Sequence, residues 1–301
     1  MSTPPDLSIR NRCYDHAVLR KLAARSLNLF PSLNRRVLAS LAEREVGAAF
    51  ADPATPPVLV YQMGKVGSSS VYEGLKAAGL VRRSLHVHFL SDDLADHIAN
   101  QVNAGIDPPP YHFHVSGVVH RHLATTPRPR CKVISLVRDP VAFEISNLFE
   151  NPHIGGDRAR QDPSAFLEEE LSKAGAFSYV NDWFDRELKA VFGVDVFGRP
   201  FPHAAGYDTY QSEHADVLLI RLEDLSRCGH GAIAEFLGLP TPLPLPRANS
   251  RGKSRRYSRA RDSITLDQET CDRIYSERLP FHFYSADERA AFSTRWTNRA
   301  P

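Results

Sequence analysis

Short apolar runs separated by amphipathic stretches recur along most of the chain. The run Val58-Leu59-Val60-Tyr61 is bounded by a Pro-containing stretch at 52–57 and by a Gly/Ser loop, the pattern of a short buried strand. Similar runs at 84–89, 111–115, 132–137 and 217–222 predict further strands. Helical spacing of apolar residues at 70–78, 141–149, 166–171 and 176–192 predicts helices between or after them, the first ended by Gly79. This alternation is what a largely parallel sheet covered by helices on both faces requires. A helical arm over residues 1–55 precedes the α/β domain of residues 56–301. Within that domain a Pro-rich link at 240–246 leads into a basic stretch at 247–261, and a C-terminal helical region closes the chain.

With 301 residues, 42% of them hydrophobic, the chain can bury one large core. The 37 basic and 35 acidic residues leave a formal charge of +2, so any anion site has to be local rather than a property of the whole surface. Cys13, Cys131, Cys228 and Cys271 are scattered without a CxxC pair, which argues against a zinc ribbon, a redox motif or a disulfide scaffold. The N-terminus lacks an apolar signal core, and no stretch approaches the roughly 20 apolar residues of a membrane span. A cytoplasmic protein is expected, with any membrane contact peripheral. The first helix, 16–41, mixes Leu with Arg and Lys. It reads as an amphipathic helix packed on the domain, or as one lying on an anionic surface.

Two motifs carry the candidate chemistry. Gln62-Met63-Gly64-Lys65-Val66-Gly67-Ser68-Ser69-Ser70 lies between a predicted strand and helix, where backbone N–H groups and the helix dipole favour an anion. Gly64 and Gly67 permit close backbone approach, Lys65 supplies a charge, and the serines supply hydroxyl donors. The order is not that of a Walker A loop, because Lys65 precedes Gly67. A plain hydroxyl-rich turn is the alternative. Arg138-Asp139-Pro140 follows the strand predicted at 132–137, and Ser146 stands eight residues beyond Arg138. Ligands of open α/β sheets bind beyond the carboxyl ends of strands, which puts Arg138 at the crevice edge used by the loop. A surface pair with Asp139 or Glu144 is its other reading.

GKVGSSS after the first strand, with RDPVAFEISNLF after a later one, resembles the nucleotide-binding core of the sulfotransferases. WFDRELKAVFGVDVFGRPF, LLIRLEDL and IYSERLPFHFYS resemble, within that superfamily, the capsular polysaccharide synthesis proteins. The resemblance implies a three-layer P-loop-like fold and the donor 3′-phosphoadenosine 5′-phosphosulfate (PAPS), with 3′-phosphoadenosine 5′-phosphate (PAP) as product and no metal required. It assigns Gly64, Lys65, Val66, Gly67, Ser68, Ser69 and Ser70 to the 5′-phosphosulfate, and Arg138 and Ser146 to the 3′-phosphate. The usual family loop has a proline before the lysine and threonines after the glycine; serine keeps the hydroxyl.

Sulfuryl transfer needs positioning, charge stabilisation and a base for the acceptor proton. His86 with His88, and His112 with His114, form His-x-His pairs on predicted strands, where a period of two puts both rings on one face. His88 resembles the general base of many sulfotransferases, with His86 and His114 behind it. Structural roles, or a metal half-site, are the alternatives, although no carboxylate or cysteine stands at ligand spacing. The basic stretch holds seven Lys or Arg and no acid. It reads as a lid over an anionic ligand, with Asn249, Arg251, Lys253 and Tyr257 in the region comparable to the sulfotransferase lid. Aromatic platforms for nucleic acid are lacking. The expected activity is sulfuryl transfer to a hydroxyl or amine of a small molecule or carbohydrate. An NTP-dependent kinase and a non-catalytic nucleotide-binding protein of polysaccharide assembly are the competing readings.

Overall fold

The computed structural model describes residues 31–150, 156–246 and 261–297. Five strands form one sheet: β1 (Val58–Tyr61), β2 (Ser84–Val87), β3 (Cys131–Val137), β4 (Tyr207–Gln211) and β5 (Ala215–Arg221), in the order β2-β1-β3-β5-β4. The first four strands across the sheet pair in parallel, and β4 closes one edge antiparallel to β5. Central strands β1, β3 and β5 are apolar and buried almost throughout, as strands covered on both faces must be.

The helices flanking the sheet begin with α1 (Pro31–Ala49), α2 (Ser68–Ala77), α3 (Leu94–Asn103), α4 (Tyr111–Leu123) and α5 (Pro140–Glu150). They continue with α6 (Gly156–Gln161), α7 (Pro163–Ser172) and α8 (Ser178–Trp183). A π-helical segment, Phe184–Lys189, prolongs α8 to a last turn at Ala190–Phe192, which ends at Gly193 in the left-handed conformation, φ 71°. After β5 come α9 (His230–Leu237), α10 (Gln268–Ser276), α11 (Arg278–Phe283) and α12 (Ala286–Thr297). Among the described residues no helix is long and apolar enough to cross a membrane.

One sequence expectation is corrected, and one strand is added. Residues 111–115 open the helix α4 rather than forming a strand. The alternation read over five residues is a fragment of a thirteen-residue pattern that buries Phe113, Ser116 and Val119 with Val115, Val118 and Leu123, the three-and-four spacing of a helix. His112 and His114 therefore do not share a strand face. The edge strand β4 went unanticipated, because only Tyr210 of its five residues is buried.

The expected helix at 16–41 is described from Pro31 onward and runs on to Ala49; its first part lies outside the described residues. Ala42, Val46 and Ala49 join the common core, and Glu45 accepts hydrogen bonds from Tyr72 (3.1 Å) and Tyr111 (2.6 Å). The helical arm is thereby tied both to α2, which follows the Gly/Ser loop, and to α4. The basic stretch lies outside the described residues except for Arg261. The Pro-rich link before it packs on α2, where a Cβ on Gly74 would come within 2.5 Å of the Pro244 carbonyl.

Candidate functional site

The strand order reverses direction at β1: the chain moves outward to β2 and then returns to the other side of β1 at β3. Such a switch point opens a crevice beyond the carboxyl ends of the two strands, the usual ligand site of open α/β sheets. The Gly/Ser loop leaves β1 at that crevice, and Arg138 leaves β3 beside it. Arg138 Nη1 donates to the Lys65 carbonyl at 2.9 Å, so the two sequence motifs are in direct contact.

Lys65 (φ 63°) and Gly67 (φ 89°) both adopt the left-handed conformation, as residues do in backbone nests that receive anions. For Lys65 that backbone costs about 1–2 kcal/mol, strain of a kind that clusters at ligand clamps. Gly67 is the N-cap of α2, no side chain caps the helix, and its first turn contains no acidic residue. The first N–H groups of the helix and the positive end of its dipole thus meet no carboxylate of that turn. Ser68 is buried, and Ser69 and Ser70 are half-buried. A Cβ on Gly67 would lie 2.5 Å from Leu222 Cδ1. Gly67→Ala is therefore expected to lower stability by about 1–2 kcal/mol from its backbone alone and to weaken anion binding at the loop. Urea unfolding and a phosphate titration would check both effects.

The Arg-Asp-Pro turn is built for its place. Pro140 opens α5, and Asp139 caps it by accepting from the N–H groups of Val141 (3.2 Å) and Ala142 (3.4 Å), the arrangement favoured at a helix start. The same buried carboxylate accepts from Tyr275 Oη (2.7 Å) on α10 and Trp296 Nε1 (3.0 Å) on α12. Burial pushes the Asp139 pKa up, against the pull of Tyr275 and Trp296. Asp139 is turned inward and Glu144 is buried, its pKa raised by burial to about 7; Arg138 bonds the loop instead of pairing with either. Ser146 lies on α5 and is buried. Among the described residues no hydrogen bond joins it to Arg138 or to the loop.

Three histidines gather on the other side of the loop. His86 and His88 have ring centroids 4.8 Å apart, and His112 stands edge-on to His88 at 5.0 Å. His88 Nδ1 lies 2.8 Å from the Gln62 carbonyl. A carbonyl oxygen can only accept, so Nδ1 carries the proton and Nε2 keeps the lone pair. Burial lowers the pKa of His88 despite that hydrogen bond, with Lys65 adding to the effect. His86 is pushed well below the ordinary histidine value by burial and by His88 and His112. His112 falls to about 3 through burial, His88 and Lys65. All three rings are neutral at pH 7. Gln62 is fully buried, with Nε2 3.3 Å from His86 Nε2 and Oε1 unpartnered.

His114 is set apart from this cluster, its Nε2 buried without a partner. His112 is the histidine that the sequence reading undervalued: a helical reading of 111–123, anchored by Pro110, would have separated it from His114. Among the described residues no three His, Cys, Asp or Glu side chains are placed to hold a metal ion.

The family model for "Putative capsular polysaccharide synthesis protein" matches residues 164–285. No curated protein and no solved structure matches the chain. The matched segment excludes the Gly/Ser loop, His88 and Arg138 but contains much of what braces them. Glu187 bonds the end of β1 and the turn after β2. Tyr275 holds Asp139, and Glu223 accepts from the Asp139 N–H at 3.0 Å.

Proposed function

We propose that the protein is a PAPS-dependent sulfotransferase of P-loop-like fold that acts on a hydroxyl of a saccharide. The observation that carries this reading is that one loop has two of its carbonyls bonded from opposite sides. Arg138 takes the carbonyl of Lys65, and His88 takes that of Gln62. An anion cradle, a cation at the neighbouring strand end and a neutral imidazole are thereby brought to one crevice.

In this reading the loop N–H groups, Lys65 and the hydroxyls of Ser68, Ser69 and Ser70 hold the 5′-phosphosulfate. Arg138 and Ser146 select the 3′-phosphate. The acceptor oxygen attacks sulfur while His88 Nε2 removes its proton. The bond between sulfur and the bridging phosphate oxygen breaks, leaving PAP, and Lys65 stabilises the charge that gathers on the departing oxygen. The saccharide acceptor rests on the family match across 164–285.

Arg138 distinguishes this donor from simpler nucleotides. A hydrogen bond to a charged group contributes about 1.5–3 kcal/mol. Arg138→Ala is therefore expected to weaken PAP binding by about 10- to 100-fold and AMP binding, which loses only the bracing of the Lys65 carbonyl, by several-fold less. Isothermal titration of both nucleotides checks this. An equal loss for the two would remove Arg138 from the 3′-phosphate site.

A further inference from the structure

We infer that Glu187 is a positioning residue that fixes the separation between the Gly/Ser loop and His88; the inference rests on the sulfotransferase reading for its kinetic consequence. Glu187 is 2% exposed and sits in the π-helical segment after α8. Its Oε2 accepts from the N–H groups of Leu90 (2.9 Å) and Ser91 (3.0 Å), and its Oε1 accepts from Ser91 Oγ (2.8 Å). Oε2 also accepts from Tyr61 Oη. Tyr61 is the last residue of β1, next to Gln62, whereas Leu90 and Ser91 follow His88 by two and three residues.

The carboxylate thus joins the strand end that launches the loop to the turn that carries the candidate base. Trp183, one helical turn earlier, donates from Nε1 to the His88 carbonyl at 3.3 Å, and its ring meets Tyr61 edge-on at 5.1 Å. His88 is therefore held by its carbonyl on one side and by the two N–H groups beyond it on the other. Its imidazole Nδ1 is bonded to Gln62. A π-helical segment has an altered residue spacing, and such segments recur at functional sites; here it carries Glu187 to the β1–β2 junction.

Both carboxylate oxygens are filled by donors, and a carboxylate can only accept. Glutamine can reproduce the same contacts, with Oε1 taking the N–H groups and Tyr61, and Nε2 donating to Ser91 Oγ. Alanine cannot. Glu187→Ala and Glu187→Gln therefore separate geometry from charge. The readouts are the release of PAP from PAPS with water as acceptor, PAP affinity, and the imidazole nitrogen NMR signals of His88.

The expected result is that Glu187→Ala lowers kcat at least 10-fold, leaves PAP affinity within about twofold and shifts the His88 signals, while Glu187→Gln restores all three. If kcat and affinity fall together, or if the His88 signals of Glu187→Ala match the wild type, the inference is overturned. Should Glu187→Ala not fold, Ser91→Ala removes only the Oε1 contact. A several-fold loss of kcat with intact affinity is then expected, and an unchanged kcat with unchanged His88 signals overturns the inference. Failure of the wild type to bind PAP would strike the sulfotransferase reading instead, and the His88 signals would still decide the positional role of Glu187.

Discussion

His88→Ala is expected to lower the release of PAP from PAPS by about 10²- to 10⁴-fold, the usual contribution of a positioned general base, with PAP affinity unchanged. The basis is the hydrogen bond from Nδ1 to the Gln62 carbonyl, which leaves Nε2 able to take a proton. The pH dependence follows from the direction of the shift. Burial lowers the His88 pKa, so the imidazole stays neutral to more acidic pH than a free histidine, whose pKa is about 6.5. In the wild type, kcat/KM should be level above that pH and decline only as acidity protonates His88 below it. The alanine variant should lose that acid limb. A variant with undiminished turnover, or a wild-type limb above 6.5, would remove His88 from the reaction.

Arg221→Ala is expected to give the largest loss of stability, about 3–5 kcal/mol, because it removes a buried guanidinium with four hydrogen bonds, each of a kind that contributes about 0.5–3 kcal/mol. Arg221 is 2% exposed at the end of β5. It donates to Asp224 (2.6 Å), Glu288 (2.8 Å) and the carbonyls of His203 (2.9 Å) and Phe283 (3.2 Å). Its removal takes a donor from the carbonyls of His203 and Phe283 and from two partly buried carboxylates, of which Asp224 keeps Arg227 and Glu288 keeps the Ser285 N–H. Lysine has no fork with which to reach all four, so Arg221→Lys should recover little. The change also reaches the crevice, since Leu222, the next residue, packs against Gly67. Urea unfolding of both variants checks the estimate, and a loss below about 1 kcal/mol for alanine would place Arg221 among ordinary surface ion pairs.

Where the chain was legible, local chemistry and tertiary context agreed. Val58–Tyr61 is apolar and flanked by breakers, and it is a central strand. Arg138-Asp139-Pro140 couples an N-cap to an N1 proline, and it starts a helix. Local sequence therefore places both motifs at strand ends, and their direct meeting through the Lys65 carbonyl is a tertiary contact that the sequence does not encode.

Legibility failed where short windows were ambiguous or partners were distant in sequence. Five alternating residues at 111–115 fit a strand as well as the start of a helix, and the error hid the approach of His112 to His88. Glu187 lies in a segment whose pattern shows only amphipathicity. Its significance depends on Tyr61, Leu90 and Ser91, which lie 126, 97 and 96 positions away in the chain, and no sequence spacing encodes that contact. Nothing in the local sequence sets Arg221 apart, because its burial depends on α11 and α12 folding over it.

The central claim is the donor, and calorimetric titration of the wild-type protein with PAP, ATP and AMP in the absence of metal tests it most directly. Tight binding of PAP, with ATP and AMP weaker by at least about 10-fold, is the result predicted by a loop for one phosphate and Arg138 for the other. No binding of PAP, or binding of ATP that appears only with Mg²⁺, would contradict the account and turn it toward a kinase or a silent nucleotide-binding fold.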